Sequence, residues 1–458
     1  MSLQDLREFI TLLEKTGQLA RVSVSVDPHL ELAAIVNQTV KMPGGGLGLL
    51  FEKVRGTNLA VACNLFGSLQ RMALAFGTPD IKVLSGGLAL DLASTGISSP
   101  PQALAAVLKA LPHQSTVERD PLWRRSSAQS FGLDKLPAIR AWPGDGGSYL
   151  TLGQVYTRDS EAAEWNCGMY RVQVHGAGSA TVRFREGSDG ARHLASWHRR
   201  GQAMPLAIAL GGPPLLTWAA GMRLPKGVSE VDFCSYLAGV PLAMSPCQTC
   251  DLKVPSSAEW VIEGVVPPGV WRRDGPFGNH TGGYDIEEQA PELQVLSVCC
   301  RSEAVYPWTL VGPPPQENIA MARAAGLVLL PLLQLAVPSV RQLHMPDEGI
   351  FHGVAFITVA ADDVRPLREI AEDLWASDLL KRSRLLVLGG ADQDARDPAA
   401  VFWRVLNRVN WQRDLLVAGE RLAVDARCMS GDPVRSEPEI VAQVLERWAD
   451  YGIRVAQG

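Results

Sequence analysis

Between about residues 142 and 301 the chain changes to short apolar runs separated by Gly, Pro and Asp, and this pattern most limits its fold. Many short runs between turn residues are typical of β-strands in a barrel or a sandwich. We therefore predict a central β domain. Its predicted strands are 149–157, 170–175, 181–184, 206–210, 252–254, 260–266 and 293–299.

The region before this β domain has a helical pattern. Ser2 is a candidate N-cap, and apolar residues at helical spacing follow it until Gly17, which predicts a first helix. A second helix is predicted at 30–40. The glycine run at 44–48 has no Lys-Ser or Lys-Thr ending, so it predicts a plain turn into a strand at 49–54 and not a phosphate loop.

After about residue 334, strand and helix patterns alternate, which is typical of an α/β layer. Ser436 and Glu439 have the spacing of a capping box and predict a last helix near the C-terminus. The other predicted strands are 354–359, 384–388 and 414–418, and the other predicted helices are 366–375 and 399–407.

Composition and charge exclude several classes of protein. The 458 residues carry a net charge of -5, which argues against a nucleic-acid partner. Eight Cys are too few for a disulfide scaffold, and the N-terminus lacks the pattern of a signal peptide. The most apolar run, 324–335, is broken by Pro331 and Gln334 and is shorter than the ~20 residues that span a bilayer. We expect a cytoplasmic protein that contacts no membrane, with this run as a buried helix.

Three motifs carry a family resemblance. Residues 274–284 read Asp-Gly-Pro-Phe-Gly-Asn-His-Thr-Gly-Gly-Tyr, residues 166–171 read Asn-Cys-Gly-Met-Tyr-Arg, and residues 64–73 read Asn-Leu-Phe-Gly-Ser-Leu-Gln-Arg-Met-Ala. These stretches resemble motifs of the UbiD-type decarboxylases, which use prenylated FMN. The resemblance extends over nearly the whole chain, and the third motif looks structural.

The resemblance implies an α/β fold with a central split β-barrel that binds flavin, flanked by N-terminal and C-terminal α/β regions. The expected boundaries are 1–120, 121–320 and 321–458. The implied reaction is the reversible, non-oxidative decarboxylation of an α,β-unsaturated or (hetero)aromatic carboxylic acid, with CO2 as the second product. The implied partners are the acid substrate, a flavin prenyltransferase that supplies the cofactor, and a second copy of the chain in a homodimer or larger homo-oligomer.

The catalytic residues implied by the resemblance are Arg171, Asp274, Asn279 and His280. The family has one Arg and two carboxylates five residues apart, and Asp274 matches the first carboxylate. Asn279 takes the place of the second, although an amide cannot exchange protons near neutral pH. His280 is the nearest titratable residue in sequence, so proton return is expected from His280 or from water. Without these motifs, Arg171 and Asp274 would be read as a structural ion pair.

The resemblance also implies a cofactor site. The expected contacts are Asn166, Met169, Tyr170, Arg171, Arg183, Glu230 and Arg384. Either Lys381 or Arg384 lies where the family has a phosphate-binding Lys, and we favour Arg384. Asn166 and Glu230 match two ligands of a divalent metal, and we read Arg183 at the position of the family's His ligand. A guanidinium does not bind a cation, so Arg183 is expected to pair with the phosphate or with Glu230, or to be a solvated edge residue. Binding of Mn2+ and K+ therefore stays open.

Other interpretations remain. Pro313 replaces an Arg of a family motif, and Trp308 and Leu310 near it are candidate substrate-lining residues, although such residues are more often core. Cys247 and Cys250 lack the second ligand pair of a zinc site, so they are read as structural. The departures from the family pattern also leave open a non-catalytic flavin-binding partner subunit, and an FMN oxidoreductase is a further alternative.

Overall fold

The computed structural model describes residues 3–110, 115–125, 132–162, 164–350, 353–427 and 436–452. In chain order its strands are β1 (Leu19–Val26), β2 (Gly48–Val54), β3 (Ala60–Cys63), β4 (Thr116–Val117), β5 (Tyr149–Leu150), β6 (Gln154–Arg158), β7 (Trp165–Met169), β8 (Val172–Gly176), β9 (Ser179–Val182), β10 (Met204–Gly211), β11 (Ala243–Pro246), β12 (Lys253–Pro255), β13 (Ala258–Val266), β14 (Trp271–Gly278), β15 (Tyr284–Cys300), β16 (Val305–Trp308), β17 (Val340–His344), β18 (Val354–Val359), β19 (Leu385–Gly389), β20 (Leu415–Ala418) and β21 (Arg421–Ala426).

The helices pack around these strands. They are α1 (Leu6–Lys15), α2 (Glu31–Val40), α3 (Leu69–Ala75), α4 (Ile81–Ser94), α5 (Pro100–Ala110), α6 (Leu122–Arg125), α7 (Asp189–Arg199), α8 (Pro214–Ala220), α9 (Glu230–Ala238), α10 (Glu317–Val328), α11 (Leu330–Ala336), α12 (Leu367–Ala376), α13 (Pro398–Arg408) and α14 (Pro438–Glu446). Short 3-10 helices occur at Pro43–Gly45, Leu133–Lys135, Asp347–Gly349 and Trp448–Tyr451.

The N-terminal region is a four-stranded sheet of order β1-β2-β3-β16. Its last strand, β16, follows the central region in sequence and pairs in parallel with β3. The Asn64 amide donates to the carbonyls of Gly45 and Leu47, and the buried Arg71 donates to Gly46 O, so the motif that contains both residues holds the glycine turn. The structural reading of this motif and of the turn is confirmed.

The central region contains a nine-stranded sheet of order β5-β8-β9-β15-β13-β10-β6-β7, with β14 paired to β15. A three-stranded sheet of order β12-β11-β4 lies beside it. The C-terminal region is a five-stranded sheet of order β17-β18-β19-β21-β20. Strands β18, β19 and β21 are parallel, and helices α12 and α13 follow β18 and β19 in the chain. The predicted mixture of α/β flanks and a central β region is therefore confirmed.

Most predicted elements lie within one or two residues of the observed ones. The stretch predicted as one strand at 149–157 is two strands, β5 and β6, and the strand predicted at 293–299 begins earlier, at Tyr284. The strands that were not predicted are β1, β3, β4, β7, β11, β14, β16, β17 and β21. The predicted cap Ser2 lies outside the described residues, and the observed cap of α1 is Asp5, which accepts from Arg7 N. The capping box at Ser436 is wrong, because α14 begins after Glu437 without a side-chain cap.

The apolar run at 324–335 forms the end of α10 and most of α11, and their side chains are largely buried. Within the described residues, a single helix long and apolar enough to cross a membrane is not found. Helices α10 and α11 meet the length and composition test only as a pair bent by 49°.

Candidate functional site

A buried ion pair joins two of the motifs. Arg171 lies between β7 and β8, and its Nε donates to Asp274 Oδ1 over 2.8 Å, although the two residues are 103 positions apart. Asp274 on β14 is fully buried, and the guanidinium of Arg171 lies 4.7 Å above the ring of Phe277. The pairing of β14 with β15 is irregular on both sides of Asp274. Such bulges redirect a side chain, and here they accompany the inward-pointing carboxylate.

A second carboxylate contacts the same arginine. Arg171 Nη1 donates to Asp285 Oδ2 over 2.8 Å, and the Asp285 side chain is 43% exposed. Gly275, with φ of +110°, allows β15 to approach, because a Cβ there would lie 2.6 Å from Asp285 O. Sequence reasoning missed Asp285, since its position opposite Phe277 follows from the register of two strands that the motif alone does not reveal.

The loop after β14 holds the other two predicted catalytic residues. Asn279 Oδ1 accepts from Thr281 N at 2.8 Å and from Thr281 Oγ1 at 2.7 Å, so the carbonyl end of the amide closes the turn. Burial and the charge of Arg185 lower the pKa of His280 to about 4, against a smaller opposing effect of a hydrogen bond with the Gly312 backbone. Near neutral pH the imidazole of His280 is therefore neutral and has no extra proton to give.

The predicted metal ligands lie at one end of β7. Asn166 is buried and donates to Thr157 Oγ1, and Glu230, the first residue of α9, accepts from Cys167 N at 3.1 Å. Burial raises the pKa of Glu230 to about 8, and the charge of Asp189 adds to this effect. Asp189, the first residue of α7, was not predicted from sequence; its charge acts on Glu230, and its carboxylate pairs with Arg192 Nη2 at 2.7 Å.

The two predicted residues between these ligands and Arg171 are placed differently. The Tyr170 hydroxyl accepts from Gly190 N at 3.1 Å, and its ring packs edge-on against Phe184 at 4.9 Å. Met169 is half-buried at the end of β7 and packs against the core. Tyr170 is therefore held against the first turn of α7, whereas Met169 belongs to the edge of the core.

Three arginines that were not predicted from sequence form a cluster. Arg223 and Arg382 are partly buried and Arg185 is exposed, and the charges of the three act on one another. Burial, with the charges of Arg382 and Arg185, lowers the pKa of Arg223 to about 10, and Arg223 Nη1 is buried without a hydrogen-bond partner in the described part of the chain. Mutually repelling cations with an unpaired donor form a site for an anion such as a phosphate.

Two of the basic residues chosen from sequence lie apart from the arginine cluster. Arg183 Nη1 pairs with Glu287 Oε2 at 2.8 Å, so the expected pairing with Glu230 is not formed. Arg384 is exposed at the start of β19, whereas Arg382, two residues earlier, donates to Glu186 O and belongs to the arginine cluster. The sequence signal for Arg382 was present in the same basic stretch, but only the fold shows which side chain points inward.

Four residues set aside or left open in the sequence have clear positions. Trp308 and Leu310 are buried in the core, so the interpretation as core residues is confirmed. The Cys247 and Cys250 thiols lie within 4.8 Å of each other and of a carboxylate oxygen of Glu263. That carboxylate accepts from the backbone N–H groups of Gln248 and Thr249, so it holds the turn that contains both cysteines.

Comparisons with known proteins agree with this architecture. Family models match at 10–86, 115–314 and 319–439, as the N-terminal, Rift-related and C-terminal domains of 3-octaprenyl-4-hydroxybenzoate carboxy-lyase, named UbiD_N, UbiD and UbiD_C. The Synechocystis protein sll0936 is 32% identical, with 98% of this chain and 96% of that protein covered. A protein of Aquifex aeolicus is 33% identical, with 98% of this chain and 93% of that protein covered.

Solved structures are similar over the full length. The UbiD-class enzyme HmfF from Pelotomaculum thermopropionicum, in an evolved dimeric form in complex with prFMN, superposes with a TM-score of 0.81 at 25% identity and covers 98% of this chain and 100% of that one. Vanillic acid decarboxylase from Sedimentibacter hydroxybenzoicus, in its closed form, gives a TM-score of 0.84 at 22% identity, with 99% and 100% covered. The second likeness shows the fold alone.

Proposed function

We propose that this chain, which belongs to the UbiD family of carboxy-lyases, catalyses the reversible, non-oxidative decarboxylation of an α,β-unsaturated or (hetero)aromatic carboxylic acid with prenylated FMN. The observation that carries the proposal is the buried ion pair of Arg171 and Asp274, because it brings the two family motifs to one place. The guanidinium, held by Asp274 and Asp285, supplies a fixed positive charge that would attract a substrate carboxylate.

The described residues fit the phosphate of a flavin nucleotide. Arg185, Arg223 and Arg382 form a cationic cluster with an unpaired donor, Arg223 Nη1, and a phosphate would neutralise their mutual repulsion. When bound, prenylated FMN supplies an acceptor for the negative charge that remains after loss of CO2. We assign the flavin to a split β-barrel at 121–320, between α/β regions at 1–120 and 321–458.

The protein residues then have distinct roles. Arg171 orients the substrate carboxylate, and Asp274 and Asp285 fix the guanidinium from two sides. The Asn279 carbonyl oxygen is engaged by Thr281, which directs the amide NH2 group away from the turn. This NH2 group has no partner in the described ranges, so it is available to donate a hydrogen bond to substrate. His280 is neutral and contributes shape and hydrogen bonding.

A divalent cation fits next to the flavin site. The amide oxygen of Asn166 and the carboxylate of Glu230 would supply oxygen ligands, which suit a hard cation such as Mg2+ or Mn2+, and Asp189, now paired with Arg192, would supply a third. A cation would also stabilise the ionised form of Glu230, which burial disfavours. In this arrangement Asp189, and not Arg183, completes the set.

We also propose a homodimer in which the C-terminal region contributes contacts. Helix α13 exposes Phe402, Trp403 and Leu406, with 42%, 55% and 67% of each residue accessible. A row of large apolar side chains on one helix is typical of a surface that another chain covers. Light scattering should give the mass of two chains, and Leu406→Glu should shift it to one. An unmutated protein that runs as a monomer would contradict this assembly.

The second candidate is a flavin-binding subunit without decarboxylase activity. The observation that favours it is Asn279, whose amide closes a turn at the position where the family has an acid. Pro313 in place of an Arg points the same way. The ion pair of Arg171 and Asp274 opposes this second candidate. Burying the Asp274 carboxylate at 0% exposure costs free energy, and a subunit without catalytic activity would have no need of that cost.

One experiment separates these functions. The protein is co-expressed with a flavin prenyltransferase, and the released cofactor is identified by mass and absorbance. The loaded protein is then incubated in D2O with a panel of unsaturated and aromatic acids, and CO2 release and deuterium incorporation at the α-carbon are measured. Turnover or exchange supports the decarboxylase. Bound prenylated FMN with neither signal supports the flavin-binding subunit, and reduction of bound flavin by NADPH with substrate turnover would indicate an oxidoreductase.

A further inference from the structure

A chain of three side chains connects the outer part of the central sheet with the buried ion pair. His175 Nε2 lies 3.1 Å from Thr181 Oγ1, and Thr181 Oγ1 donates to Asp274 Oδ2 over 3.0 Å. The three residues are on β8, β9 and β14. Thr181 and Asp274 are fully buried, whereas His175 is half-buried. The polar path therefore runs from a partly accessible imidazole to a carboxylate in the interior.

The hydrogen bonds give this path a direction. Because Thr181 Oγ1 gives its hydrogen to Asp274, the same oxygen must accept from His175 Nε2, which requires the Nε2–H tautomer of a neutral imidazole. His175 Nδ1 has no partner within the ranges that the structure describes, so it is the nitrogen left for solvent. The charged groups that act on His175 are Arg272 and Asp274 of β14 and Glu292 of β15.

The electrostatics agree with this tautomer. Burial, together with the positive charge of Arg272, lowers the pKa of His175, and the carboxylates of Asp274 and Glu292 oppose that effect. A neutral imidazole at physiological pH can receive a proton at one nitrogen while it releases one from the other. His175 is thus suited to pass protons along and is not held in the charged state.

The site needs such a path. The residue at 279 is an amide, which does not exchange protons near neutral pH. Its neighbour His280 is also neutral there. Asp274 itself is fully buried and has no direct contact with solvent. A carbon that has lost CO2 must still receive a proton for each turnover, and none of these three residues takes it from bulk water unaided.

We propose that His175 and Thr181 relay protons from solvent to Asp274, in place of the acid that is absent at position 279. This inference rests on the proposed decarboxylase function. A proton binds His175 Nδ1, the Nε2 proton passes to Thr181 Oγ1, and the Thr181 hydroxyl proton passes to Asp274 Oδ2. Asp274 then gives its proton to the carbon that has lost CO2 and becomes a carboxylate again. Exchange of the ring proton with solvent restores the Nε2–H tautomer.

His175 and Thr181 act through Asp274 and are positioning and relay residues. Thr181→Val removes the hydroxyl and keeps the shape, while Thr181→Ser keeps the hydroxyl, so the two variants form a matched pair. We expect Thr181→Val and His175→Phe to slow deuterium incorporation at least tenfold at unchanged KM. Thr181→Ser should restore most of that loss. In the slowed variants, the solvent isotope effect on the rate and the pH dependence of the rate should also differ from those of the unmutated enzyme.

A second measurement needs neither cofactor nor substrate. NMR spectra of the cofactor-free protein with 15N-labelled histidine report the tautomer of His175. We expect the Nε2–H form in the unmutated protein and in Thr181→Ser, and a changed tautomer ratio in Thr181→Val. A His175 that carries its hydrogen on Nδ1 in the unmutated protein would overturn the relay, whatever the activity.

The outcomes distinguish the relay from the function on which it rests. If the loaded, unmutated protein turns over no acid, the decarboxylase proposal fails, and the NMR result still decides whether the hydrogen-bonded path exists. If the unmutated protein is active and Thr181→Val exchanges deuterium at the same rate, the relay is overturned. Loss of exchange in Asp285→Asn combined with full exchange in Thr181→Val would assign the proton to Asp285 and reject His175 and Thr181.

Discussion

Replacing Arg223 should have opposite effects on the stability of the empty protein and on flavin affinity. The residue is partly buried within a cluster of like charges, and this environment lowers the pKa of Arg223 from its ordinary value of 12.5 to about 10. One pKa unit corresponds to about 1.4 kcal/mol, so the folded state holds this cation about 3 kcal/mol less favourably than the unfolded chain does. Both states are protonated at pH 7, so this disadvantage is present at that pH.

Arg223→Met keeps most of the aliphatic stem and removes the charge. We expect the cofactor-free variant to gain about 1–2 kcal/mol, since lost side-chain contacts offset part of the relieved repulsion. The thermal midpoint should rise by roughly 1–2 °C. Affinity for FMN should fall at least tenfold, about 1.4 kcal/mol, because a charge-assisted hydrogen bond to phosphate is lost.

The assay combines thermal unfolding of the cofactor-free protein with titration of FMN followed by flavin fluorescence. Arg384→Met is the matched control, because Arg384 is exposed and lies outside the cluster, two residues after Arg382. It should change neither quantity. An Arg223→Met variant that unfolds at a lower temperature and binds FMN with unchanged affinity would refute the assignment of the arginine cluster to phosphate.

Three further predictions concern other parts of the site. Arg171→Ala should abolish decarboxylation with retained circular dichroism, and activity within about tenfold of the unmutated enzyme, ~1.4 kcal/mol in the barrier, would contradict its role. The pKa of His280 is lowered to about 4, so between about pH 6.5 and 4 the unfolded chain binds more protons than the folded one, and stability falls as pH falls through that window. His280→Gln should flatten this pH dependence of the free energy of unfolding in urea. An unchanged pH dependence would contradict the lowered pKa of His280. Glu230→Gln should abolish thermal stabilisation by Mn2+ and the bound metal that elemental analysis detects. Arg183→Gln should retain the stabilisation and the bound metal. Loss of metal in Arg183→Gln with retained metal in Glu230→Gln would assign Arg183 to the metal site.

Local sequence patterns predicted much of the fold. Apolar periodicity located strand β18 at 354–359 and placed helices α2, α12 and α13 within one or two residues, because the spacing of core-facing side chains is set by the geometry of each element. Two of the strands that were missed, β7 and β14, contain the family motifs themselves. Their Gly, Pro and Asn residues follow the needs of the site and obscure the alternation of a strand.

The motifs also identified Arg171 and Asp274 as a pair, because each lies in a stretch that resembles one family. What they did not reveal is which other side chains approach that pair. Asp285 reaches Arg171 through the register of β14 and β15, and Thr181 reaches Asp274 across from β9. Neither contact has a local pattern in the sequence.

The tertiary structure alone decided the basic and acidic partners of the proposed cofactor site. Arg185, Arg223 and Arg382 come from three separate stretches, and their common position depends on how the C-terminal region packs against the central one. Arg183, adjacent in sequence to the same region, pairs with Glu287 on β15 instead. The physical reason is that periodicity records which face of an element is buried, whereas the partner of a charged side chain depends on strand register and domain packing across more than a hundred residues.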